Sequence, residues 1–402
     1  MNCVGIDVSK GKSTVCILRP FGEVVFSPYE VPHTDQDVKN LIGVIKALDG
    51  ETKIVLEATG IYHLPLVKEF LKENLFVSII NPYVMKKYSS LSLRRAKTDK
   101  LDSIKIATYG IDNWLNLQKT ESNSNSYEQL KLLGRQYAHY IKVSVTSRQA
   151  LITITDRSMP GIKNIIFSKK ADNPTKDKLC DFIEKYWHYD TITKMSENKF
   201  CTEYIIWAKK KGYRPNETQA KKIYAVATSG IPSISSNNPS TKMLVLEAVR
   251  VVKEISQTLD SILTQMREIA SLLPEYDVVR SMNGVGDVLA VKLIAEIGDI
   301  RKYRNGNALI AHAGIDTPPY QSGNFYGTNR RISKRGSSLL RKIGYETMRC
   351  LKSTKPTKDN AVYLYMLKKE NEGKPPKVAK IAALNKFLRI YYARVKEVYE
   401  KA

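Results

Sequence analysis

Three short apolar segments open the chain, and polar or glycine-containing breaks separate them. Residues 2–8, 13–18 and 23–27 alternate or run apolar, with breaks at residues 9–12 and 20–22. Alternation over such lengths is typical of β-strands, and breaks this short are typical of turns between antiparallel neighbours. The pattern therefore predicts three consecutive antiparallel strands at the start of the chain.

The next segments alternate between helical and strand spacing. Apolar residues in 35–48 recur every three or four positions, with Thr34 or Asp35 placed to cap a helix. A short buried strand at 53–56, a helix at about 61–73 and a strand at 75–80 follow. The predicted order β-β-β-α-β-α-β-α is that of the RNase H-like α/β fold.

Four carboxylates stand where these elements end or begin. Asp7 and Glu57 each close an apolar strand, while Asp99 and Asp102 lie three apart on a helix predicted to begin near Thr98. Residues three apart share a helix face, so Asp99 and Asp102 lie together. Asp7 and Glu57 could converge on them from two adjacent strand ends. Oxygen ligands suit Mg²⁺ or Mn²⁺, which can activate a nucleophile at a phosphodiester. The alternative, in which Asp7 merely ends a strand and the helix acids are solvated, stays open.

Two long helical patterns occupy the middle of the chain, at about 126–155 and 242–273. Their apolar spacing near three and four predicts helices that pack together as an antiparallel coiled coil. Between them, residues 156–240 are rich in Lys, Tyr and Ser, with helical pieces near 176–187 and 197–211. We interpret the region as a helical arm, for which a spacer or dimerisation role is the favoured reading.

Composition and charge indicate the kind of partner. The 402 residues, 43% of them hydrophobic, can bury two or three cores. Lys and Arg total 64 against 40 acids, and the excess is +3 in residues 1–120, +8 in 121–272 and +13 in 273–402. Such an excess favours a nucleic acid over a membrane, since no stretch approaches the roughly 18 apolar residues of a spanning helix. No signal peptide is evident, so a cytoplasmic, nucleoid-associated protein is expected.

The five cysteines have no CxxC pairing, and the five histidines have no metal-ligand spacing. Disulfides and structural zinc are therefore not expected.

A glycine-containing turn follows the arm. Residues 278–290 place Gly284 and Gly286 in an apolar-Gly-apolar-Gly bend that opens a helix. A helix-hairpin-helix turn of this form presents backbone N–H groups to a phosphate. A plain helix-helix turn is the alternative, because glycine is common there.

A serine and a run of cations come next. Ser322 precedes a glycine, six bases lie between Arg330 and Lys342, and no acid occurs between Asp316 and Glu346. This composition predicts a phosphate-binding surface. A serine in a polar loop is by itself ordinarily a turn residue. The side chains expected to contact phosphate are Arg330, Arg331, Lys334, Arg335 and Arg341.

Several motifs now combine: GIDVSK, LEATGIY and AKTDKLDS near the N-terminus, and MNGVGDVLAVKLIAEIGD, AHAGIDTPPYQSG and RRISKRGSSLLRK near the C-terminus. In this order they resemble the DEDD-type transposases of the insertion-sequence one-hundred-and-ten family, relatives of the pilin-gene invertases. The resemblance implies a RuvC-like nuclease domain at 1–120, a coiled-coil arm at 121–272 and a mostly α-helical transposase domain at 273–402. The segment 156–240 is longer than is usual for the family.

The resemblance also implies a mechanism. Ser322 would be the nucleophile that forms a phosphoserine link with DNA, with Ser337 and Ser338 as weaker candidates. Asp7, Glu57, Asp99 and Asp102 would hold Mg²⁺ or Mn²⁺. The implied partners are double-stranded donor and target DNA, a guide RNA encoded by the element, and further copies of the chain in a homodimer or homotetramer.

Two other functions remain as alternatives, and a third is the least favoured. An RNase H-like hydrolytic nuclease, such as a junction resolvase, would use the acids but form no covalent intermediate. A sugar or acetate kinase of the actin-like ATPase fold also has Gly-Ile-Asp before a hairpin. The sequence has no second Asp-Gly-Gly phosphate loop and no adenosine-binding glycine pair, and its basic charge also argues against a kinase. A protein that only binds and shapes DNA does not require clustered acids, so this third alternative is the least favoured.

Overall fold

A five-stranded mixed sheet forms the centre of the N-terminal part of the protein. The computed structural model describes residues 1–58, 60–90, 98–120, 125–166, 176–319, 321–322, 325–327 and 331–401. The chain divides into two compact units, a first unit Met1–Asn123 and a second unit Ser124–Ala402.

The first unit follows the predicted order of strands and helices, except that an unpredicted helix, Pro82–Ser89, precedes the last one. Its elements are β1 (Asn2–Val8), β2 (Lys12–Leu18), β3 (Val24–Pro32), α1 (Asp35–Lys46), β4 (Thr52–Glu57), α2 (Leu64–Lys72), β5 (Val77–Ile80), α3 (Pro82–Ser89) and α4 (Asp99–Asp112). The strand order is β3-β2-β1-β4-β5. β1 pairs antiparallel with β2, and β2 with β3, while β4 runs parallel to β1 and β5 parallel to β4. This mixed α/β sheet is compatible with the predicted RNase H-like fold.

The third strand is longer than its sequence predicted. The apolar pattern ended at residue 27, yet β3 continues to Pro32, which pairs with Lys12 of β2. Proline interrupts a strand pattern because it lacks a backbone N–H, but an edge strand tolerates it. Because β3 is an edge strand of the sheet, its prolines do not end it.

Apolar residues cover both faces of this sheet. On one face, Ile6 and Leu56 share a core with Leu41 of α1 and Phe70 of α2. On the other face, Val55 shares a core with Ile106 of α4. The sheet is therefore enclosed by α1 and α2 on one face and by α4, together with Met85 of α3, on the other.

The second unit is mostly helical, as predicted. Its elements are α5 (Asn125–Ser158), α6 (Lys178–Lys185), α7 (Asp190–Thr193), α8 (Glu197–Lys210), α9 (Glu217–Ser229), α10 (Pro239–Ser271), α11 (Tyr276–Ser281), α12 (Asp287–Ile297), α13 (Gly306–Ala313), β6 (Gln321–Ser322), β7 (Phe325–Tyr326), α14 (Ser338–Thr354), α15 (Ala361–Asn371) and α16 (Pro376–Lys401).

The two long helices of the arm run antiparallel. Leu130, near the start of α5, shares a core with Met266, near the end of α10. Leu151, near the end of α5, shares a second core with Val245, near the start of α10. At 1.5 Å per residue each helix is about 50 Å long. The two long helices predicted here are present, and their two ends lie in separate hydrophobic cores. Their packing as a coiled-coil arm stays a prediction.

An inserted module, α6 to α9, packs on the distal end of this helix pair. Its core contains an aromatic cluster in which the Phe182 ring lies 6.2 Å from that of Tyr204 and 5.9 Å from that of Trp207. The helical pieces near 176–187 and 197–211 correspond to α6 and α8, whereas α7 and α9 were not predicted. The module thus adds a hydrophobic core of its own to the arm.

The proximal core joins α5 and α10 to the C-terminal helices. A buried carboxylate, Glu275, accepts hydrogen bonds from the hydroxyls of Tyr127 and Tyr399, both at 2.6 Å. Burial, followed by this carboxylate, raises the pKa of both tyrosines. The interaction fixes the start of α5 to the end of α16. Within the described ranges, no helix has the length and apolar character needed to cross a membrane.

Candidate active site

Strand register brings the two strand-end acids of the first unit together. In the parallel pair β1 and β4, Gly5 lies opposite Val55 and Ile6 opposite Leu56. Asp7 and Glu57 are the next residues on the two strands, at the same edge of the sheet. Neighbouring strands lie about 4.8 Å apart, so the two carboxylates start from adjacent backbone positions.

Both acids lie on the face of the sheet that α4 covers. A Cβ added to Gly5 would lie 2.4 Å from the backbone O of Ser103 and N of Ala107. One added to Gly110 would lie 2.2 Å from the Sγ of Cys3. Because side chains alternate along a strand, Asp7 projects from the same face as Cys3 and Gly5.

The direction of α4 brings its first turn to the acid end of β1. Cys3 meets Gly110, and Gly5 meets Ser103 and Ala107, so the helix runs antiparallel to the strand. One step further along β1 is Asp7, and one step earlier along α4 is the turn that carries Asp99 and Asp102. We call this group of four carboxylates the acid edge.

Cations already neutralise part of the acid edge. Asp102 is half-buried and pairs with Lys105, with Oδ1 and Nζ 3.1 Å apart. Asp99 is exposed and lies within electrostatic range of Lys12, whose pKa is raised mainly by Glu30 and more weakly by Asp99. Among the described residues, no three His, Cys, Asp or Glu side chains form a group that could hold a metal ion.

The donor chemistry nevertheless fits Mg²⁺ or Mn²⁺. All four side chains offer carboxylate oxygens, the ligands these cations prefer, and they come from one edge and one face of a sheet. A rotation of the Asp102 side chain away from Lys105 would be required for it to serve as a ligand. The backbone brings the four acids to the same end of the sheet, but their carboxylate oxygens are not arranged around a common metal position.

The glycine turn of the second unit is packed against α14. Gly284 has a φ of +82°, and a Cβ there would lie 2.8 Å from the Cβ of Leu351. Gly286 precedes α12 and has no atom within 4 Å of an added Cβ. The turn therefore requires glycine at 284 for packing, while position 286 is open to a ligand. A helix-turn-helix arrangement is present, and its use as a helix-hairpin-helix phosphate site stays a prediction.

Ser322 lies on a short β-hairpin. Its backbone pairs with Phe325, and Gln321 pairs with Tyr326. The side chain of Ser322 and the whole of Arg330 lie outside the described residues. We call the segment from β6 to β7, with the stems on either side of it, the serine hairpin.

Backbone hydrogen bonds hold the two stems of the serine hairpin together. Ser333 N donates to Asp316 O at 2.9 Å, Lys334 N to Gly314 O at 3.0 Å, and Ser337 N to His312 O at 2.6 Å. A hydrogen bond from the Ser333 hydroxyl to the Asp316 carboxylate adds to them. The loop that carries Ser322 therefore begins and ends at one fixed place on the protein.

Arg341 clamps these stems. Its NH1 donates to Ala313 O in one stem and to Gly336 O in the other, both at 3.0 Å. Arg331, Lys334 and Arg335, which we predicted to contact phosphate, are exposed. Arg341 belongs to that predicted group too, and the structure gives its guanidinium a structural role.

The two weaker serine candidates have different surroundings. The Ser337 hydroxyl caps α14 by accepting from Leu340 N at 3.0 Å, and it donates to the Glu296 carboxylate at 2.6 Å. Ser338 is exposed on the first turn of α14. Ser337 is thus committed to capping, which disfavours it as a nucleophile.

Comparisons with known proteins identify the family. A family model described as a transposase, of the DEDD type found in IS110 elements, matches residues 4–160. A second, described as the transposase IS116/IS110/IS902 family, matches residues 276–363. The chain belongs to the IS110 family of transposases. It is therefore an enzyme that acts on DNA.

A curated relative spans nearly the whole chain. It is the uncharacterized 44.8 kDa protein of insertion element IS116 from Streptomyces clavuligerus, 21% identical over 370 residues that cover 92% of this chain and 88% of the relative. The range matched by the first model includes all four acids, and the range matched by the second includes both turn glycines and Ser322. Residues 161–275, including the inserted module, lie outside both models.

Sequence patterns missed one polar cluster beside the serine hairpin. Glu296 is buried at 6% exposure in α12, and Lys302 and His312 lie near it on other elements. An acid inside the apolar run of residues 288–297 was the one available signal, because a carboxylate in such a run requires a partner. Its partner, Ser337, follows 41 positions later and could not be identified from spacing.

Proposed function

We propose that this IS110-family transposase cuts and rejoins DNA strands through a phosphoserine intermediate at Ser322. The reaction depends on Mg²⁺ or Mn²⁺ held by Asp7, Glu57, Asp99 and Asp102. A guide RNA encoded by the element selects the DNA by base pairing. Exchange of four strands requires a homodimer or homotetramer.

The observation that carries this proposal is the placement of the acid edge. Asp7 and Glu57 occupy matched positions on neighbouring parallel strands, and the first turn of α4 lies across the same end of the sheet. Lys105 and Lys12 offset part of the negative charge of these four carboxylates, and a divalent cation would offset more of it. A structural role accounts for one of these acids at a time, whereas a metal site accounts for all four.

A divalent cation bound there would neutralise developing charge at the scissile phosphate. In the strand-cutting step, the hydroxyl oxygen of Ser322 forms a bond to phosphorus, and the bond from phosphorus to the departing sugar oxygen breaks. The hydroxyl proton ends on that sugar oxygen. One phosphate ester replaces another, so the strands can be rejoined by the reverse step without ATP.

The cations of the serine hairpin hold the DNA backbone. Arg331, Lys334 and Arg335 are exposed on one stem, and Arg330 precedes them in sequence. Such contacts position a strand without reading its sequence. Sequence choice can therefore be left to pairing with RNA, as in other RNA-guided enzymes.

Trapping of covalent protein-DNA adducts tests the proposal. Ser322→Ala should abolish adducts on a denaturing gel and leave DNA binding unchanged, because it removes one oxygen atom and no charge. Asp7→Asn should lower strand cleavage by about a thousandfold or more at any Mg²⁺ concentration, the loss expected for a disrupted metal site.

Ser338→Ala is the matched control, since this serine is exposed and close in sequence. It should keep full adduct formation. Adducts that persist in Ser322→Ala would place the nucleophile elsewhere. Cleavage without any adduct in the unmodified protein would instead identify a hydrolytic nuclease, and full activity of Asp7→Asn would remove the metal site.

A further inference from the structure

A group of cations meets at the proximal end of the arm, beside the serine hairpin. Lys131 and Arg135 lie one turn apart on α5, and Lys302 lies on the 3-10 turn Ile300–Lys302 that follows α12. Lys131 repels Lys302, and both, with Arg135, repel a proton on His312 of α13. Two elements thus direct positive charge toward His312 on a third.

His312 forms the inner wall of this cluster. Its ring donates a hydrogen bond to the backbone carbonyl of Glu296, and its centroid lies 5.5 Å from that of Tyr303. The Nε2 atom is buried and has no hydrogen-bond partner among the described residues. The Nζ of Lys302 lies 5.1 Å from the Tyr303 ring. The wall therefore contains an unsatisfied nitrogen beside an ammonium group.

The acids near the cluster are already engaged elsewhere. The Glu296 carboxylate accepts from Ser337, and Asp299 pairs with Arg301 at 2.6 Å. Within the described part of the chain, Lys131, Arg135 and Lys302 take part in no ion pair. Partial burial and then repulsion from Lys131 lower the pKa of Lys302 to about 8, against weaker opposing effects of Asp299 and Glu296. Burial and then repulsion from Lys302 lower the pKa of His312 to about 4.

We propose that Lys131, Arg135 and Lys302 form an anion site that binds one phosphodiester group of a nucleic-acid strand. Like charges four residues apart on a helix destabilise it, and a bound anion reverses that effect. Lys302 and Arg135 each keep more than a third of their surface exposed, so a strand can reach them. The inference rests on the proposed nucleic-acid function and adds a contact outside the predicted hairpin cations.

Salt dependence of binding tests the site directly. The probes are a 30-base-pair duplex DNA and a structured RNA of similar length, each of arbitrary sequence, bound to the full chain. For the probe that uses the site, Arg135→Gln with Lys302→Gln should lower affinity about tenfold and reduce the slope of log K against log salt by about 1, since one neutralised phosphate of a duplex contributes about 0.9.

The control removes two cations from α16 of the same unit. Lys396 and Lys401 are exposed and pair with Glu400 and Glu397, so Lys396→Gln with Lys401→Gln makes the same change in net charge. Equal effects of the two double variants on both probes would overturn the site. The probe that responds identifies the strand, DNA or RNA.

The pH dependence of binding provides a second readout. A bound phosphate raises the pKa of Lys302, so affinity is highest where the free lysine is already protonated and falls as pH rises through about 8. Between pH 7 and 9 the loss should reach up to about tenfold. Lys302→Arg keeps its charge over this range, so it should bind normally at pH 7 and lose most of this dependence.

If the Lys302→Arg variant had the same pH profile as the unmodified protein, the anion site would be overturned and the proposed recombinase function would still stand. Ser322→Ala adduct trapping would be unaffected by that result. If the unmodified protein bound neither probe, the anion site and the nucleic-acid function would both be wrong.

Discussion

The acid edge and the serine hairpin place their side chains by different means. At the acid edge, regular strand register puts Asp7 beside Glu57, and a packed helix brings Asp99 and Asp102 to the same end. At the serine hairpin, three backbone hydrogen bonds between stems fix where the loop starts and ends. Positions in a sheet follow from local sequence, whereas positions in such a loop depend on partners elsewhere in the unit.

Close backbone contact is nevertheless common to both. Gly5 lets α4 approach β1, and Gly336 lets one stem of the hairpin approach the other, where a Cβ would lie 2.1 Å from His312 O. The contacts differ in what they support. At the acid edge glycine brings two regular elements together, and at the hairpin it joins two irregular segments that Arg341 must also bridge.

The largest effect on stability should come from the helix contact of the acid edge. In Gly5→Ala the new methyl would meet backbone atoms of α4 at 2.4 Å, and backbone cannot move aside as a flexible side chain can. We expect the first unit to lose about 3 kcal/mol or more of its free energy of unfolding. Urea unfolding followed by hydrogen exchange in peptides of β1 measures this loss.

Gly43→Ala is the control, because position 43 is exposed on α1 and has no atom within 4 Å of an added Cβ. It should leave stability unchanged or raise it by up to about 1 kcal/mol, the helix preference of alanine over glycine. Equal stability of the two variants would show that α4 does not need this close approach, and the placement of Asp99 and Asp102 would lose its support.

Sequence alone predicted most of the first unit because its signals are local. Alternating apolar residues identified β1 and β2, and the capping residues Thr34 and Thr98 identified the starts of α1 and α4. The prediction ended β3 too early, since the chain itself does not reveal which strand is at the edge. The predicted order of strands and helices was nevertheless enough to infer that Asp7 and Glu57 end adjacent strands.

The second unit was predictable only where its periodicity is long. The helices α5 and α10 were identified, but α9 and the distal core were not. The stem contacts of the serine hairpin, the clamp by Arg341 and the bond from Ser337 to Glu296 join segments whose spacing carries no signal. Tertiary packing decides these contacts, and for that reason sequence composition described Arg341 only as one more cation.

A smaller effect should follow from removing the clamp of the hairpin. Arg341→Gln loses the bridge between Ala313 O and Gly336 O, which should cost about 1–3 kcal/mol locally, the range for a hydrogen-bonded charged group. The stems should then separate more often. Limited proteolysis within residues 317–332 should become several-fold faster, and adduct formation should slow with it.

Lys342→Gln separates the clamp from simple loss of charge. This neighbouring lysine is exposed, so its loss should weaken DNA binding at low salt without changing the proteolysis rate. If Arg341→Gln behaved in the same way, Arg341 would be a phosphate contact like the other cations, and the contrast between the hairpin and the acid edge would be weaker.

The smallest effect on stability is expected from removing the threonine caps of α1 and α4. Comparing the two variants tests whether the start of α4 contributes to strand cleavage. Thr98 caps α4 and Thr34 caps α1, each accepting a hydrogen bond from a backbone N–H at 3.2 Å. Replacing either threonine by alanine should cost about 1 kcal/mol, the usual value of such a cap. The two variants are therefore matched in stability, but only α4 carries acids of the proposed metal site in its first turn.

Thr98→Ala should consequently lower strand cleavage several-fold, and part of that loss should be recovered at higher Mg²⁺, because a frayed first turn leaves Asp99 and Asp102 less well placed. Thr34→Ala should leave cleavage and its Mg²⁺ dependence unchanged. Cleavage assays across a Mg²⁺ series on both variants measure the difference. Identical profiles would mean that the first turn of α4 is not part of the metal site. A metal ion held by Asp7 and Glu57 would then take its other ligands from elsewhere in the protein.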